Sequence, residues 1–331
     1  MPAPITRDVF AEYLRSPIVS GTIRSLKMHD LLEYHQLALY LLAKEPNIHP
    51  GASLSAAAFI FERSKTEKST KAKIDQRINA WFGEFLFDSA KNSFDSREKP
   101  NLNSLIDSIE SVVGTLSIVG HDIILASSAL KSLHWNNQFS SQKIVDQISE
   151  RVRKAGSAHP GLFHGYTSEE IRKIEVEFDD FDADSTPLDV ATSLVKALRK
   201  VRRTYFGFHF QAQETHLITH AEAMISLHKL GYDYIFRASL KSWFLRLHLL
   251  EPIFDLNIPD AVSPKMVHWD PRIVNFWEQY EPYELNIHPI KTMNSYLTLK
   301  DYNLFSCEDV DYLEKEKLPY LADSRYPEDW Q

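Results

Sequence analysis

The sequence predicts an all-α fold, a single multi-helix bundle with a histidine-lined central cavity. Three observations lead there. Apolar residues recur at the three-and-four spacing of amphipathic helices along most of the chain, while the alternating pattern of half-buried strands is scarce. Only 10 glycines punctuate 331 residues, few for a protein of tight hairpins. Four of the histidines, His35, His121, His216 and His288, fall within apolar helical segments.

Composition bounds the function. Hydrophobic residues make up 44% of the chain and aromatics 12%, enough for a large core and contrary to disorder. A net charge of −8 argues against a partner held by its phosphate backbone, so nucleic acid is not expected. Cys307 is the only cysteine, which rules out an intrachain disulfide and a cysteine zinc cluster. The N-terminus has no basic stretch followed by an apolar core, and no uncharged apolar run approaches the ~18 residues of a membrane span. The expectation is a cytoplasmic protein with no membrane contact, one domain over 1–331 ending in an acidic tail at 308–331.

Residues 7–15 read as a short amphipathic helix, and Ser25 opens a longer one through Lys44 that carries His29 and His35. The two histidines are six residues apart, about 240° around a helix at ~100° per residue, so they do not share a face. His35 adjoins the apolar run LALYLL and is the better candidate for an inward role. Pro46 to Gly51 breaks the helix, and a short buried helix follows over LSAAAFIFERS. The polar and basic stretch from Arg63 to Lys73 reads as a solvated connection into helix 74–90. There Trp81, Phe82, Phe85 and Phe87 form an aromatic core stripe.

After the break at SREKPNLNS, Asn103 or Ser104 caps a segment that reads as one helix of nearly 30 residues, ending near Leu133. Gly114 and Gly120 inside it predict a kink or a close approach by another group, and His121 follows the second glycine in the most apolar part. Residues 159–170 form a loop, a lid or a connection, with a helix cap at Thr167 or Ser168. The run with Asp179, Asp180, Asp182 and Asp184 lacks the glycine and glutamate of a calcium loop and reads as an exposed acidic loop. Ser185 or Thr186 caps helix 187–205, with Pro187 in its first turn.

Phe210 to Leu230 places His216, Thr219, His220 and Ala223 along one side of a helix. One more amphipathic helix ends at Pro252. The segment 260–283, rich in proline and tryptophan, is expected to wrap the bundle. A last helix, NIHPIKTMNSYLTL, carries His288 and Lys291 three apart on one face.

No glycine-rich nucleotide loop, nucleophile elbow, H-E-x-x-H zinc helix or E-x-x-H pair occurs. What remains is His35, His121, His216 and His288, each on a different apolar helix, with Lys291 beside the last. Convergence of four imidazoles would suit a redox-active first-row metal, and their dispersal would make them ordinary core residues.

The order of segments resembles the questin oxidase-like family. YHQLALYLLA (34–43) is similar to its N-terminal histidine helix, although Tyr34 stands where the family has asparagine. VVGTLSIVGHDIILASSAL (112–130) is similar to its central glycine–histidine segment. HLITHAEAM (216–224) resembles its H-x-x-T-x-x-x-A pattern, and NIHPIKTMNSYL (286–297) resembles its final H-x-x-K helix. The family is α-helical and includes enzymes that oxidatively open anthraquinone rings, described either as non-haem iron oxygenases or as NADPH-dependent Baeyer–Villiger oxygenases. The resemblance implies Fe(II) held by His35, His121, His216, His288 and a carboxylated Lys291, with Thr219 and His220 beside them as candidate catalytic side chains. It implies molecular oxygen and a small aromatic, polyketide-like substrate that is cleaved or hydroxylated. The readings set against it are NADPH or haem chemistry, and a non-catalytic helical binding protein whose histidines are structural.

Overall fold

The structure is a computed structural model. It describes residues 31–45, 48–63, 65–94, 99–135, 141–161, 163, 165–174, 184–201, 208–254, 268–279 and 288–322. The expected helix 7–15, His29, most of the acidic loop and the last residues of the tail lie outside the described residues.

Among the described residues there are fourteen α-helices and no strand. In chain order they are α1 (Leu31–Lys44), α2 (His49–Glu62), α3 (Lys68–Ser93), α4 (Asn103–Glu110), α5 (His121–Trp135), α6 (Gln142–Gly156) and α7 (Ser168–Lys173). They continue with α8 (Pro187–Lys200), α9 (Phe208–Lys229), α10 (Asp233–Phe254), α11 (Val274–Glu278), α12 (His288–Asp301), α13 (Cys307–Tyr312) and α14 (Leu318–Leu321). None of them is long and apolar enough to cross a membrane.

The centre is α9. It packs on α5, α10 and α12, while α2 lies against α1, α5 and α12. These helices share one apolar core in which Trp243, Trp277 and Phe236 are wholly buried. Ends are set by local chemistry: Thr167 and Thr186 each close a capping box, with Glu170 and Asp189. Of the aromatic stripe, Trp81, Phe82 and Phe87 are buried as core; the side chain of Phe85 is outside the described set.

The structure corrects three expectations. The single helix ending near Leu133 is two, α4 and α5, separated by residues 111–117 and a 3-10 turn over Ile118–Gly120. Gly114 (φ +91°) and Gly120 (φ +88°) leave the helical region altogether, so the glycines break the helix instead of bending it. Ile118 and Val119 also have positive φ, and the turn is held by backbone N–H donation from Ile118 to the His159 carbonyl (2.8 Å) and from Val119 to the Pro160 carbonyl (2.9 Å). The loop around His159 is therefore a brace for this turn.

Second, the helix expected at Leu54 begins at His49, with Pro50 in its first turn. Third, the stretch read as a connection up to Lys73 turns helical at Lys68, and α3 runs on to Ser93. The tail folds back over 307–322, one of the two courses open to it: Leu313, Leu318, Leu321 and Ala322 are core residues, and buried Lys317 donates to the Val201 carbonyl and to Glu214.

Candidate metal centre

Four imidazoles from four helices meet in the core. His121 Nε2 lies 2.7 Å from His216 Nε2. The ring centroids of His49 and His288 are 4.2 Å apart, those of His49 and His121 4.7 Å, and those of His216 and His288 5.2 Å. One ring nitrogen from each of His49, His216 and His288 falls within 4.8 Å of the others. Metal–imidazole bonds of about 2 Å set neighbouring ligand nitrogens ~3 Å apart and opposite ones ~4 Å apart, so His49, His216 and His288 stand at or slightly beyond the spread of a single ion's ligands, with His121 beside His216.

Local sequence explains how the rings arrive. His49, His121 and His288 are each the first residue of a helix, and His216 sits within α9 facing them. A helix N-terminus carries positive partial charge and disfavours an imidazolium. Burial, first, and the neighbouring Lys291 hold His49, His121 and His288 well below the ordinary histidine value; burial and His121 do the same for His216. Neutral imidazoles keep the lone pairs that bind metals.

Lys291 is buried on α12, one turn beyond His288, with Nζ 2.8 Å from His49 Nδ1. Burial lowers its amine to about 7, so a large neutral fraction exists near neutrality. A neutral amine can add to carbon dioxide, and the carbamate would supply the oxygen donor that four imidazoles lack.

His35 is not brought to this cluster. Its ring stacks on Trp135 at 4.4 Å, meets Phe59 edge-on, and lies 3.2 Å through Nδ1 from Ser132 Oγ. In the cluster His49 stands where His35 was expected. A signal for it exists in the sequence, because Asn-Ile-His-Pro occurs twice, at 47–50 and at 286–289. Both histidines open a helix with proline next, which presents an imidazole at a helix end at little backbone cost.

Thr219 and His220 also sit differently from a reacting pair. The Thr219 hydroxyl donates to its own helix, at the Thr215 carbonyl (3.1 Å). His220 is wholly buried edge-on to Trp243 at 5.6 Å, with neither ring nitrogen hydrogen-bonded. A Cβ on Gly120 would stand 2.8 Å from its Nδ1. His220 is thus packing that fixes the turn ahead of His121.

Arg246, on α10, binds the same two elements. It is fully buried and donates from Nη1 to the Val119 carbonyl (2.8 Å) and the His216 carbonyl (3.0 Å), and from Nη2 to the Gln213 carbonyl and side chain (3.1 Å each). One guanidinium therefore ties the turn before His121 to the helical turn of His216.

A narrow cavity of about 20 Å³, room for roughly one water, lies next to the cluster. The residue three places after each histidine lines it: Ala52, Ile124, Thr219 and Lys291. All four helices thus pass from the cluster to the cavity in their N-to-C direction. Glu222 borders it and accepts from Lys131 (2.7 Å), Ser226 (2.6 Å) and Ser295 (3.3 Å). On another side a cleft of about 600 Å³ reaches His121 between the end of α1 and α6.

No family model, curated protein or solved structure matches the chain.

Proposed function

We propose that this chain is a non-haem iron oxygenase that uses molecular oxygen to cleave or hydroxylate a small aromatic, polyketide-like substrate. The observation that supports this reading most is the meeting of four imidazoles, contributed by four helices, around a buried lysine whose amine is lowered to about 7. The donor set fits Fe(II): His49, His121, His216 and His288 would hold it, and Lys291 would add an anionic oxygen as a carbamate. Its formation joins the amine nitrogen to the carbon of carbon dioxide and releases one proton. Iron so held supplies a redox-active centre for dioxygen.

The chain's own residues do the rest. Arg246 and Gly120 hold His121 and His216 in register, and both rings are buried while His49 and His288 are half-buried. The cleft that reaches His121 has the volume of a small-molecule site.

A second reading, structural histidines in a non-catalytic helical protein, draws on the His121–His216 contact, since 2.7 Å is also an ordinary hydrogen bond between neutral rings. Metal analysis with an absorption spectrum separates the readings. About one iron per chain with no Soret band, lost in His216→Ala, is the expected result. A Soret band would favour haem, oxygen uptake that needs NADPH would favour the Baeyer–Villiger reading, and no retention of iron, manganese or zinc would overturn the proposal.

A further inference from the structure

The cleft beside the histidine cluster has a chemical character of its own. It reaches His121, and its lining combines the aliphatic side chains of Ile48, Ile118, Ala43 and Ala155 with the amide of Gln147. Its rim carries charge, but not all of that charge is free. Lys154 pairs with Glu150 at 2.6 Å, and Arg151 is attracted to Glu45. Lys44 differs: it lines the cleft at the C-terminal end of α1, exposed, and no carboxylate among the described residues lies within ion-pairing distance of it. Partial burial, and to a lesser degree the charge of Lys143, lowers its amine from the ordinary lysine value. Lys44 thus brings an ammonium without a carboxylate partner among the described residues to the edge of a cleft with aliphatic walls, a place suited to an anion.

We infer that the cleft takes a carboxylate-bearing apolar ring compound, its carboxylate at Lys44 on the rim and its ring system against Ile48 and Ile118, directed at His121. The inference deepens the oxygenase reading and rests on it only for the identity of His121 as part of the reacting centre. A rim cation and an apolar throat also settle orientation. The charged end stays in high dielectric where it keeps its water, and the apolar end enters. A neutral compound of the same shape would gain the apolar contact but not the cation, and a dianion would have to bring a second charge down the aliphatic walls.

The test measures binding to the full, metal-free chain, so it needs neither iron nor turnover. Calorimetric titration with 2-naphthoate and its neutral isostere 2-naphthamide should show the acid binding about five- to tenfold more tightly, the range of one partly solvated ion pair. Lys44→Glu should abolish that preference and leave the amide within about twofold, Lys44→Arg should keep it, and the acid should shift the His121 ring resonances. Lys73→Glu, within α3 and outside the cleft lining, serves as a charge control and should change nothing. Equal affinity for acid and amide, a preference that survives Lys44→Glu, or acid binding without any shift at His121 would each overturn the assignment. A protein that holds iron yet shows no acid preference would sink this inference alone; one that prefers the acid yet holds no metal would sink the oxygenase reading alone.

Discussion

His49 and His288 meet ring to ring with centroids 4.2 Å apart, and each opens its helix with proline as the next residue. The two helices α2 and α12 pack together and against α9 or α5, so the histidine at each N-terminus is aimed at the side chains of the other two. This pairing makes His49 a member of the cluster on geometry alone.

His49→Ala should therefore lose metal as fully as His216→Ala, whereas His35→Phe should retain it. Elemental analysis of the purified variants reads the outcome directly. Retention in the first with loss in the second would return the ligand role to α1.

Lys291 should carry a carbamate. Protein equilibrated with ¹³C-labelled carbon dioxide should show a carbamate carbon resonance that is missing in Lys291→Ala. The signal should grow as pH rises from below to above about 7, because only the neutral amine adds carbon dioxide and burial sets the amine near that value. Lys291→Ala should also hold less iron at unchanged helix content, since removing one cavity-facing side chain leaves the helix packing in place. An unmodified lysine in an iron-loaded protein would refute the carbamate.

His35 should make the fold acid-sensitive. Burial lowers it to about 3 from an unfolded value of 6.5, so below pH 6.5 the unfolded chain takes up a proton that the folded chain refuses. The stability it contributes is present above pH 6.5 and is lost as pH falls toward about 3, by an amount on the order of 3–5 kcal/mol. The other buried histidines add a parallel slope common to both proteins. In urea titrations, His35→Phe should lose less stability between pH 6.5 and 4 than the wild type; identical slopes would count against this account.

Gly120→Ala should destabilise by roughly 2–4 kcal/mol, combining a positive φ with a Cβ pressed against His220. Because the strain sits one residue before His121, metal affinity should fall even where far-ultraviolet circular dichroism still reports full helix. A variant as stable as wild type would show that the turn relaxes freely.

Arg246→Met should cost a similar roughly 2–4 kcal/mol, because the Val119, His216 and Gln213 carbonyls and the Gln213 side chain would lose the guanidinium that ties them together. Arg246→Lys should not restore it, since one ammonium cannot reach both the turn and α9 in the planar fork that the guanidinium provides. The readout is the unfolding midpoint of both variants, and rescue by lysine would argue that only the charge matters.

The sequence by itself determined the all-α class, through periodicity and sparse glycine, and it placed His121, His216, His288 and Lys291 in apolar helical segments. It also located the caps near Thr167 and Thr186, whose chemistry is local and satisfied within one turn. Only the tertiary structure decided which imidazoles meet. Periodicity orders residues around their own helix but does not say which helix ends abut, so His35, deep in an apolar run, read as a ligand and is instead a stacked core ring. His49 looked like part of a proline-marked break, and becomes a cluster member because α12, α5 and α9 close around the start of α2. The break at Gly120 was legible as glycine, but its depth was not. Two aliphatic residues hold positive φ there because the His159 and Pro160 carbonyls, the Arg246 guanidinium and the His220 ring, all distant in sequence, over-determine the turn.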